Sequence, residues 1–550
     1  MTGRAAPVVT ALAALLVLHL VLALPDHPRA MTPETFARLP LELPVILLAL
    51  ILAPRVLRLP LRLLLTGGLA LMTVVKLADH AAFLAYARGF NPLLDLHLLP
   101  AAWNLGSGAI GTGPALVVVI LLLLGILLLA AALWWATGRI AALAPSPALA
   151  PALGAALVAA VTLAATDALL PGPGALGTAF TTRLAFDHAA RIAETRANLR
   201  RFDAEAADDP FAAAPADVLL AGLEDTDVIL VFVESYGRST LDHSRYARTI
   251  RPRLAAIAAD LDAAGLAARS GWLTAPTIGG QSWLSHASLL SGLRIDNQRR
   301  YQALLSSARR TLMHYAADAG FRTVVIAPAI TLAWPEAEYF GYGAIYPAAA
   351  LGYRGKPFNW VTMPDQFTLR AFERLELERA NRLPLLAEIA LISSHAPWTP
   401  VPEPVPWEAI GDGTIFNAMA TSGDPPETVW RDQDRVRDQF IATIDYSLAT
   451  LGAFVLRHAD RAPLVIILGD HEPAAFVAGS RSFEVPIHVI GPPGLISRFA
   501  AWNFTEGLIP GPDLPTPGME AFRDRFLATF SPGFTPGTAF AGGSTASAAP

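Results

Sequence analysis

The fold is decided by residues 228–239, VILVFVESYGRS, in which an apolar, β-branched run leads directly into Glu234. Such a run is typical of a strand that is buried on both faces of a parallel sheet. Four similar runs follow it along the chain, and helical patterns separate them. The predicted strands are Val228–Val233, Thr323–Ile326, Ile389–Ile392, Leu464–Leu468 and Val485–Ile490, and the predicted helices cover 247–264, 282–291, 308–319 and 431–456. This alternation predicts an α/β domain with a mostly parallel sheet sandwiched by helices.

Polar residues follow three of these runs at the point where each predicted strand ends. Glu234 follows the first, His395 follows the third in SSHAPW, and Asp470 and His471 follow the fourth in LGDHEP. The segment TIGGQSWLSHASLLSG places Ser282 after a Gly-Gly turn, at the start of a predicted helix. Chemistry in a sheet of this kind collects at the carboxyl ends of the strands. We therefore expect these side chains to meet at one edge of the sheet.

The residue types at this edge favour a metal site. The carboxylates of Glu234 and Asp470 and the imidazole of His471 suit Zn²⁺ or Mn²⁺, and the oxygen of Ser282 completes the predicted metal-ligand set. Metal contact favours the alkoxide and makes Ser282 a predicted nucleophile near neutral pH. The start of a helix at Ser282 favours an incoming anion.

The N-terminal third of the chain has a different character. Of 41 basic and 46 acidic residues in 550, only 9 and 6 lie in residues 1–170, and the whole chain is 53% hydrophobic. Five apolar runs near the length of a membrane-spanning helix predict a five-helix transmembrane domain over 1–170. They cover about residues 8–24, 39–54, 60–86, 113–136 and 147–170. The first run is interpreted as an uncleaved anchor rather than a signal peptide, because more spans follow it.

The distribution of arginine predicts the orientation of these spans. Arg4, the loop around Arg55–Arg62 and Arg139 would share the cytoplasmic side, which places the large C-terminal domain outside a bacterial-type cytoplasmic membrane. Within the third span, Lys76, Asp79 and His80 are either functional groups or the interfacial end of a long tilted helix.

The remaining boundaries follow from composition. Residues 171–225 are a predicted juxtamembrane linker whose helix over 178–205 either lies on the membrane surface or simply connects two domains. Residues 226–530 form the predicted catalytic domain, and the Pro/Gly-rich tail 531–550 is predicted to be disordered.

Composition also excludes several classes of function. The formal net charge is −5, so there is no basic surplus for binding nucleic acid. The chain has no cysteine, which excludes disulfide scaffolds, thiolate metal sites and cysteine nucleophiles. A transporter is disfavoured because the spans show neither an internal repeat nor paired broken helices.

The quoted motifs resemble the alkaline phosphatase superfamily in its sulfatase branch. The whole arrangement is most similar to membrane-anchored lipoteichoic-acid synthase-like and phosphoethanolamine transferase-like enzymes, which have five spans followed by an extracytoplasmic α/β domain. In that family, Glu234, Asp470 and His471 match metal ligands and His395 matches a substrate-binding histidine. The segment SWLSHASLLSG keeps the serine-led sulfatase signature at Ser282 but lacks its Pro and Arg, which argues against conversion to formylglycine.

The resemblance also suggests substrate-binding residues. Trp334 matches a tryptophan of the family and is a predicted substrate-binding residue. The phosphate-binding Arg that the family carries two positions later is missing here, so Arg238 or His286 is the expected replacement near the substrate. His488 is a weaker candidate that more naturally belongs to a strand, and Asp445 is predicted to be structural.

What the resemblance implies is a two-step transfer through a covalent Ser282 intermediate. A phosphoglycerol- or phosphoethanolamine-type head group would move from a membrane phospholipid to an extracytoplasmic glycan or lipid acceptor, with His395 binding the phosphate or assisting the leaving alcohol. Two alternatives stay open: a sulfatase-like hydrolase, either a phosphodiesterase or a sulfuric ester hydrolase, and a catalytically silent membrane scaffold.

Overall fold

A computed structural model of the 550-residue chain shows two compact units, Met1–Asn198 and Leu199–Pro550. It describes residues 5–86, 89–96, 111–143, 177–223 and 225–535, together with single or paired residues and one short stretch within 99–107 and 151–162. The predicted PGPG break at 171–174 and most of the predicted tail lie outside the described residues.

The N-terminal unit is built from apolar helices. Its helices are Ala5–Ala23, Pro33–Ala37, Glu42–Leu52, Arg55–Tyr86, Pro92–Asp95, Thr112–Ala141 and Phe180–Ala207, the last of which continues into the second unit. A short parallel pair joins β1 (Leu39–Pro40) to β2 (Gly177–Thr178). The predicted amphipathic helix over 178–205 corresponds to Phe180–Ala207.

Two of these helices are long and apolar enough to cross a membrane, Arg55–Phe83 and Thr112–Ala141. The first two predicted spans correspond to shorter apolar helices, and the fifth, 147–170, falls mostly outside the described residues. The predicted count of five spans is therefore not confirmed. A third helix of sufficient length, Gln433–Arg457, belongs to the second unit and is mostly buried inside it.

The ionisable residues of the third predicted span have structural partners. The buried Lys76 ammonium donates hydrogen bonds to the carbonyls of Val21 and Leu22 at 3.1 and 3.0 Å. Asp79 Oδ2 pairs with His188 Nε2 at 2.9 Å, and His80 Nδ1 lies 2.8 Å from the Lys76 carbonyl oxygen. The bonds of Lys76 and Asp79 connect helices, whereas the contact of His80 lies within its own helix.

The C-terminal unit contains an eight-stranded sheet in the order β10-β4-β9-β8-β3-β7-β5-β6. The strands are β3 (Val228–Val233), β4 (Ala267–Thr274), β5 (Arg322–Ala327), β6 (Ala344–Pro347), β7 (Leu385–Leu391), β8 (Leu464–Gly469), β9 (Glu484–Gly491) and β10 (Thr505–Glu506). The sheet is mixed rather than mostly parallel: β8, β3, β7, β5 and β6 are parallel, whereas β9, β4 and β10 join antiparallel.

Helices cover both faces of this sheet. They are Ser239–Asp242, Ser244–Ala263, Ser282–Ser291, Gln298–Leu305, Leu312–Asp318, Ala348–Leu351, Asp365–Phe372, Asn417–Ala420, Pro426–Val429, Gln433–Arg457, Ala475–Ala478, Pro493–Ile496 and Ala521–Phe530. Alternate residues of β3 enter two separate cores: Ile229, Val231 and Val233 pack on one face, and Val228, Leu230 and Phe232 on the other. Burial on both faces explains why this strand is a continuous apolar run.

The register of the central strands sets the position of the site. Val233 of β3 lies opposite Leu391 of β7 and Gly469 of β8. The residues that come next in these three strands therefore leave the sheet together, at the same edge.

Candidate active site

Glu234 and Asp470 are fixed where β3 and β8 end. The Ser235 amide donates to Asp470 Oδ1 at 2.8 Å, and the Ser394 hydroxyl donates to the Glu234 carbonyl at 2.6 Å, which ties the end of β7 to the same point. Ser235 has a φ of 58°, so the chain turns sharply directly after the carboxylate. Gly469 permits this close approach, because a Cβ there would lie 1.8 Å from the Tyr236 carbonyl oxygen.

The predicted metal ligands come together. Ligand atoms of Glu234, Asp470 and His471 all lie within 4.8 Å of one another, and all three residues are buried. His471 Nε2 is 3.2 Å from Glu234 Oε1 and 3.7 Å from Asp470 Oδ2. Its Nδ1 lies 2.9 Å from the Glu472 carbonyl oxygen and donates to it, so Nε2 is the ring nitrogen that faces the two carboxylates.

The electrostatics of this cluster favour a bound cation. Burial, with the adjacent Glu234 carboxylate, raises the pKa of Asp470 to about 7. Burial opposes the charged form of His471, but Asp470 and Glu234 outweigh it and raise the pKa of His471 to about 10. Burial likewise opposes ionisation of Glu234, yet His471 holds its pKa below the ordinary range. The negative charges of two carboxylates are thus balanced by only one imidazole. Their oxygen atoms and the imidazole nitrogen fit a divalent cation such as Zn²⁺ or Mn²⁺.

Ser282 lies next to the three ligands. Its hydroxyl donates to Glu234 Oε2 at 3.0 Å, and its Oγ is 3.2 Å from His471 Nε2. Ser282 is the first residue of helix Ser282–Ser291, and Gln281 before it has a left-handed φ of 65°. The first N–H groups of a helix lack acceptors one turn earlier and favour an anion at this position, although the Leu284 amide here donates to the Gln281 carbonyl at 2.9 Å. The predicted juxtaposition of Glu234, Ser282, Asp470 and His471 is therefore present in the structure.

A cavity of about 290 Å³ opens beside Ser282. Its wall contains the predicted substrate-binding residues His395, His286 and Trp334 together with Glu234 and Asp470. Much of the remaining wall is aromatic or aliphatic: Phe232, Tyr301, Val325, Ile330, Phe340, Tyr342, Leu391 and Ile392. Among the described residues that line it, none is Lys or Arg.

Two histidines present a ring nitrogen to this cavity. Nδ1 of the exposed His395 is 2.5 Å from the Ala396 carbonyl, so its Nε2 is available to a ligand. His286 stacks on Phe232 with ring centroids 3.8 Å apart, and its Nδ1 bonds to Glu388 Oε1 at 2.6 Å. His286 is one helical turn beyond Ser282, so the two side chains share a face of the helix.

The sequence reasoning missed Glu388. This carboxylate is 1% exposed, and besides His286 it accepts the Tyr342 hydroxyl at 2.6 Å. The sequence does contain a sign of it, because Glu388 is the single acidic residue in the apolar strand Leu385–Leu391. A buried carboxylate needs compensation, and its imidazole partner faces the cavity.

Arg238 and His488 are placed elsewhere. The guanidinium of Arg238 bonds to Asp242 at 2.6 Å and to Glu484 at 2.7 Å, and Arg238 does not line the described cavity beside Ser282. Its charge is paired with two carboxylates of the protein, and its substrate-binding role stays a prediction. His488 is buried in β9 between Tyr236 and Ser270, which excludes it from the site.

Asp445 forms a paired contact with Arg253, with both N–O distances 2.8 Å. This bidentate ion pair gives Asp445 a structural role, as predicted.

Several solved structures are similar to this chain. The lipoteichoic acid synthase LtaP from Listeria monocytogenes is 14% identical over 56% of this chain and 72% of its own, with a TM-score of 0.36. The C-terminal periplasmic domain of EcEptC from Escherichia coli, in complex with Zn, is 14% identical over 49% and 73%, with a TM-score of 0.34. The phosphoglycerol transferase GacH from Streptococcus pyogenes is 13% identical over 55% and 74%, with a TM-score of 0.34. None of the curated proteins matches the chain.

The family comparison covers the part of the chain that carries the site. Residues 226–488 match the Sulfatase family model, a range that begins just before β3 and ends within β9. This match confirms the predicted resemblance to the sulfatase branch and the prediction of an enzyme that acts on phosphate or sulfate esters. The part of the chain that carries Glu234, Ser282, Asp470 and His471 is therefore similar to the sulfatase family.

Proposed function

We propose that this protein is a metal-dependent phosphotransferase that uses Ser282 as its nucleophile. It would move a phosphoglycerol- or phosphoethanolamine-type head group from a membrane phospholipid to an extracytoplasmic glycan or lipid acceptor. The observation that carries the proposal is the position of Ser282 Oγ, 3.0 Å from Glu234 Oε2 and 3.2 Å from His471 Nε2, at the mouth of a cavity.

In the first step, Ser282 Oγ attacks the phosphorus atom of the phosphodiester. As the attack proceeds, the hydroxyl proton passes along the Ser282 hydrogen bond to Glu234 Oε2. The Oγ–P bond forms, the bond from phosphorus to the lipid oxygen breaks, and the lipid alcohol leaves after taking a proton from His395. His395 suits this role because its Nδ1 is bound to a carbonyl and its Nε2 is left for the substrate.

In the second step, an acceptor hydroxyl attacks the phosphorus atom of the Ser282 phosphodiester, which still carries the head group. The new P–O bond forms and the P–Oγ bond breaks. Ser282 Oγ takes back its proton from Glu234, and the acceptor's proton passes to His395, which restores all three residues. Water in place of the alcohol would make the same site a phosphodiesterase, so the acceptor alone separates transfer from hydrolysis.

A divalent cation held by Glu234, Asp470 and His471, when bound, supplies positive charge that favours the serine alkoxide and the negatively charged transition state. The donor set within 4.8 Å supports this assignment. The amides of the first turn of helix Ser282–Ser291 add partial positive charge on the opposite side.

His286 is the proposed replacement for the missing phosphate-binding arginine. It lines the cavity one turn from Ser282, and its Nδ1 bonds to the buried Glu388 carboxylate at 2.6 Å, which fixes the orientation of the ring. This pair would hold a phosphoryl oxygen where no Lys or Arg lines the described cavity.

The membrane unit supports a lipid donor. Two long apolar helices associate the chain with a membrane, which keeps the catalytic unit close to phospholipids and raises their effective concentration. The arginine distribution supports an extracytoplasmic catalytic unit.

The proposal is tested with full-length protein in detergent and phospholipids labelled in the head group. Wild-type protein should show Ser282 esterified with the labelled phosphoglycerol or phosphoethanolamine group by peptide mass spectrometry, and label should reach an added alcohol. Ser282→Ala should abolish both signals while keeping bound metal. Ser285→Ala is the matched control, because Ser285 lies on the same helix, is buried and has no hydrogen-bond partner among the described residues. Turnover by Ser282→Ala at the wild-type rate would refute the proposal.

A further inference from the structure

The backbone turn at the end of β7 determines where His395 stands. The His395 amide donates to the Ile392 carbonyl at 3.0 Å, which closes the turn. Within the same turn, the Ser394 hydroxyl donates to the Glu234 carbonyl at 2.6 Å. His395 itself is exposed, and the bond from its Nδ1 goes to the carbonyl of the next residue, Ala396. The position of the imidazole therefore depends on the backbone from which it extends.

The carboxylate of Asp365 holds the buried side of this turn. Its Oδ1 accepts the amides of Ile392 and Ser393, each at 2.9 Å, and its Oδ2 accepts the Ser447 hydroxyl at 2.6 Å. The Asp365 amide in turn donates to the Ser393 hydroxyl at 2.9 Å. These three polar side chains are buried, and Asp365 is the first residue of helix Asp365–Phe372. One side chain on a separate helix thus fixes the first two amides that follow β7.

We propose that Asp365 is a positioning residue for His395. The inference rests on the proposed function, in which His395 gives a proton to the leaving alcohol and takes one from the acceptor. Asp365 does not line the described cavity beside Ser282, so it acts through the turn rather than on the substrate. Proton transfer requires the imidazole within hydrogen-bond distance of the reacting oxygen, and a displacement of about 1 Å can slow a reaction roughly hundred-fold.

The turn requires the shape of the Asp365 side chain rather than its charge. Asparagine has the same shape: its Oδ1 can accept the same two amides, and its Nδ2 can donate to the oxygen of the Ser447 hydroxyl. Alanine leaves both buried amides without this acceptor. Asp365→Asn should therefore keep most of the wild-type kcat, whereas Asp365→Ala should lower kcat roughly hundred-fold. KM and bound metal should change little in either variant.

Asp227 offers a matched control at the opposite end of the same strand. It is also buried, and its Oδ1 accepts the amide of Leu385, the first residue of β7, at 3.0 Å. Its carboxylate also pairs with Arg382 at 2.6 Å. Asp227→Ala therefore removes a buried acceptor of a β7 amide without touching the turn that carries His395. It should lower the unfolding temperature and leave kcat of the folded protein at the wild-type level.

The test is a double-mutant cycle of Asp365→Ala and His395→Ala in the full-length protein in detergent. The readout is the rate at which Ser282 is esterified by phospholipid labelled in the head group. If Asp365 acts through His395, its roughly hundred-fold effect should disappear in the His395→Ala background. Should Asp365→Ala not retain bound metal, Asp365→Ser, which keeps a hydroxyl at the buried position, takes its place.

Three results would overturn the inference. The first is a loss of equal size in both backgrounds, because Asp365 would then only support the fold. The second is wild-type kcat in Asp365→Ala. The third is a loss in Asp365→Asn as large as that in Asp365→Ala, because the charge rather than the shape would then be required.

A second readout does not need turnover. In full-length protein labelled with ¹⁵N in its histidine side chains, NMR distinguishes the Nδ1–H tautomer from the Nε2–H tautomer, and His395→Gln assigns the signals. Wild-type His395 should show the Nδ1–H tautomer because Nδ1 donates to the Ala396 carbonyl, and Asp365→Ala should show a mixture. Absence of transfer by wild-type protein would count against the proposed function alone, whereas an unchanged tautomer in Asp365→Ala would count against the positioning role.

Discussion

His488 makes the stability of the catalytic unit sensitive to acid. Its ring is 1% exposed, with Nε2 3.0 Å from the Tyr236 hydroxyl and Nδ1 2.8 Å from Ser270 Oγ. Both partners are neutral, and burial lowers the pKa of His488 from its ordinary value to about 3. The unfolded chain therefore binds this proton more tightly than the folded chain does. The stabilising contribution is complete above pH 6.5, the ordinary value, and is lost as the pH falls toward 3.

The size of the effect follows from the two pKa values. Between pH 7 and pH 5 the unfolded histidine becomes protonated while the folded one stays neutral, which lowers the free energy of unfolding by about 2 kcal/mol. His488→Gln keeps a neutral donor and acceptor in the strand but cannot titrate. Its own loss of stability between these pH values should be smaller than that of wild type by about 2 kcal/mol.

The assay is urea unfolding of the full-length protein in detergent at pH 7 and pH 5, for wild type and His488→Gln. The decisive quantity is the difference between the two losses, because other groups that titrate contribute equally to both proteins. Identical losses in the two proteins would show that His488 is solvated or protonated in the folded state, and the reasoning would fail.

Four further outcomes are expected. Asp470→Asn should remove most of the bound metal, measured by elemental analysis, and full metal content would contradict its ligand role. Gly469→Ala should prevent folding because its Cβ would lie 1.8 Å from a carbonyl oxygen, whereas Gly494→Ala, which meets no atom within 4 Å, should fold and bind metal normally. Arg238→Ala should cost about 1 kcal/mol of stability and leave KM unchanged. Glu388→Gln should raise KM roughly ten-fold with a smaller effect on kcat; an unchanged KM would argue against phosphate binding by this pair.

The site could be predicted from sequence because its residues follow apolar runs directly. The predicted strand Val228–Val233 has the bounds seen in the structure, and Leu464–Leu468 differs by one residue. Parallel strands end at the same edge of the sheet. The residues directly after the predicted strands were therefore sufficient to find Glu234, Asp470 and His471. The helix that begins at Ser282 was also predicted with its observed bounds.

Other features have weaker signals in the sequence. β4, Ala267–Thr274, contains Arg269, Ser270 and Gly271, so its strand pattern is interrupted by polar and small residues. Tertiary contacts explain why polar and small residues stand in this strand. Ser270 bonds to His488, and a Cβ at Gly271 would collide with Phe504. Contacts between positions more than two hundred residues apart determine this strand, and no local pattern reports them.

The topology of the sheet explains which of the predicted residues lie at the site and which lie apart from it. The parallel strands β3, β7 and β8 direct their carboxyl ends to one edge, and each supplies a group to the site. β9 runs antiparallel to β8, and its His488 lies opposite Ile467, within the sheet rather than at its edge. A histidine in β9 therefore serves packing. Arg238 follows β3 by only five residues, but its guanidinium forms an ion pair with Glu484 at the start of β9. Strand direction reverses between β8 and β9. The residues of the candidate site therefore follow the parallel strands β3, β7 and β8, and His488 of the antiparallel strand β9 lies within the sheet.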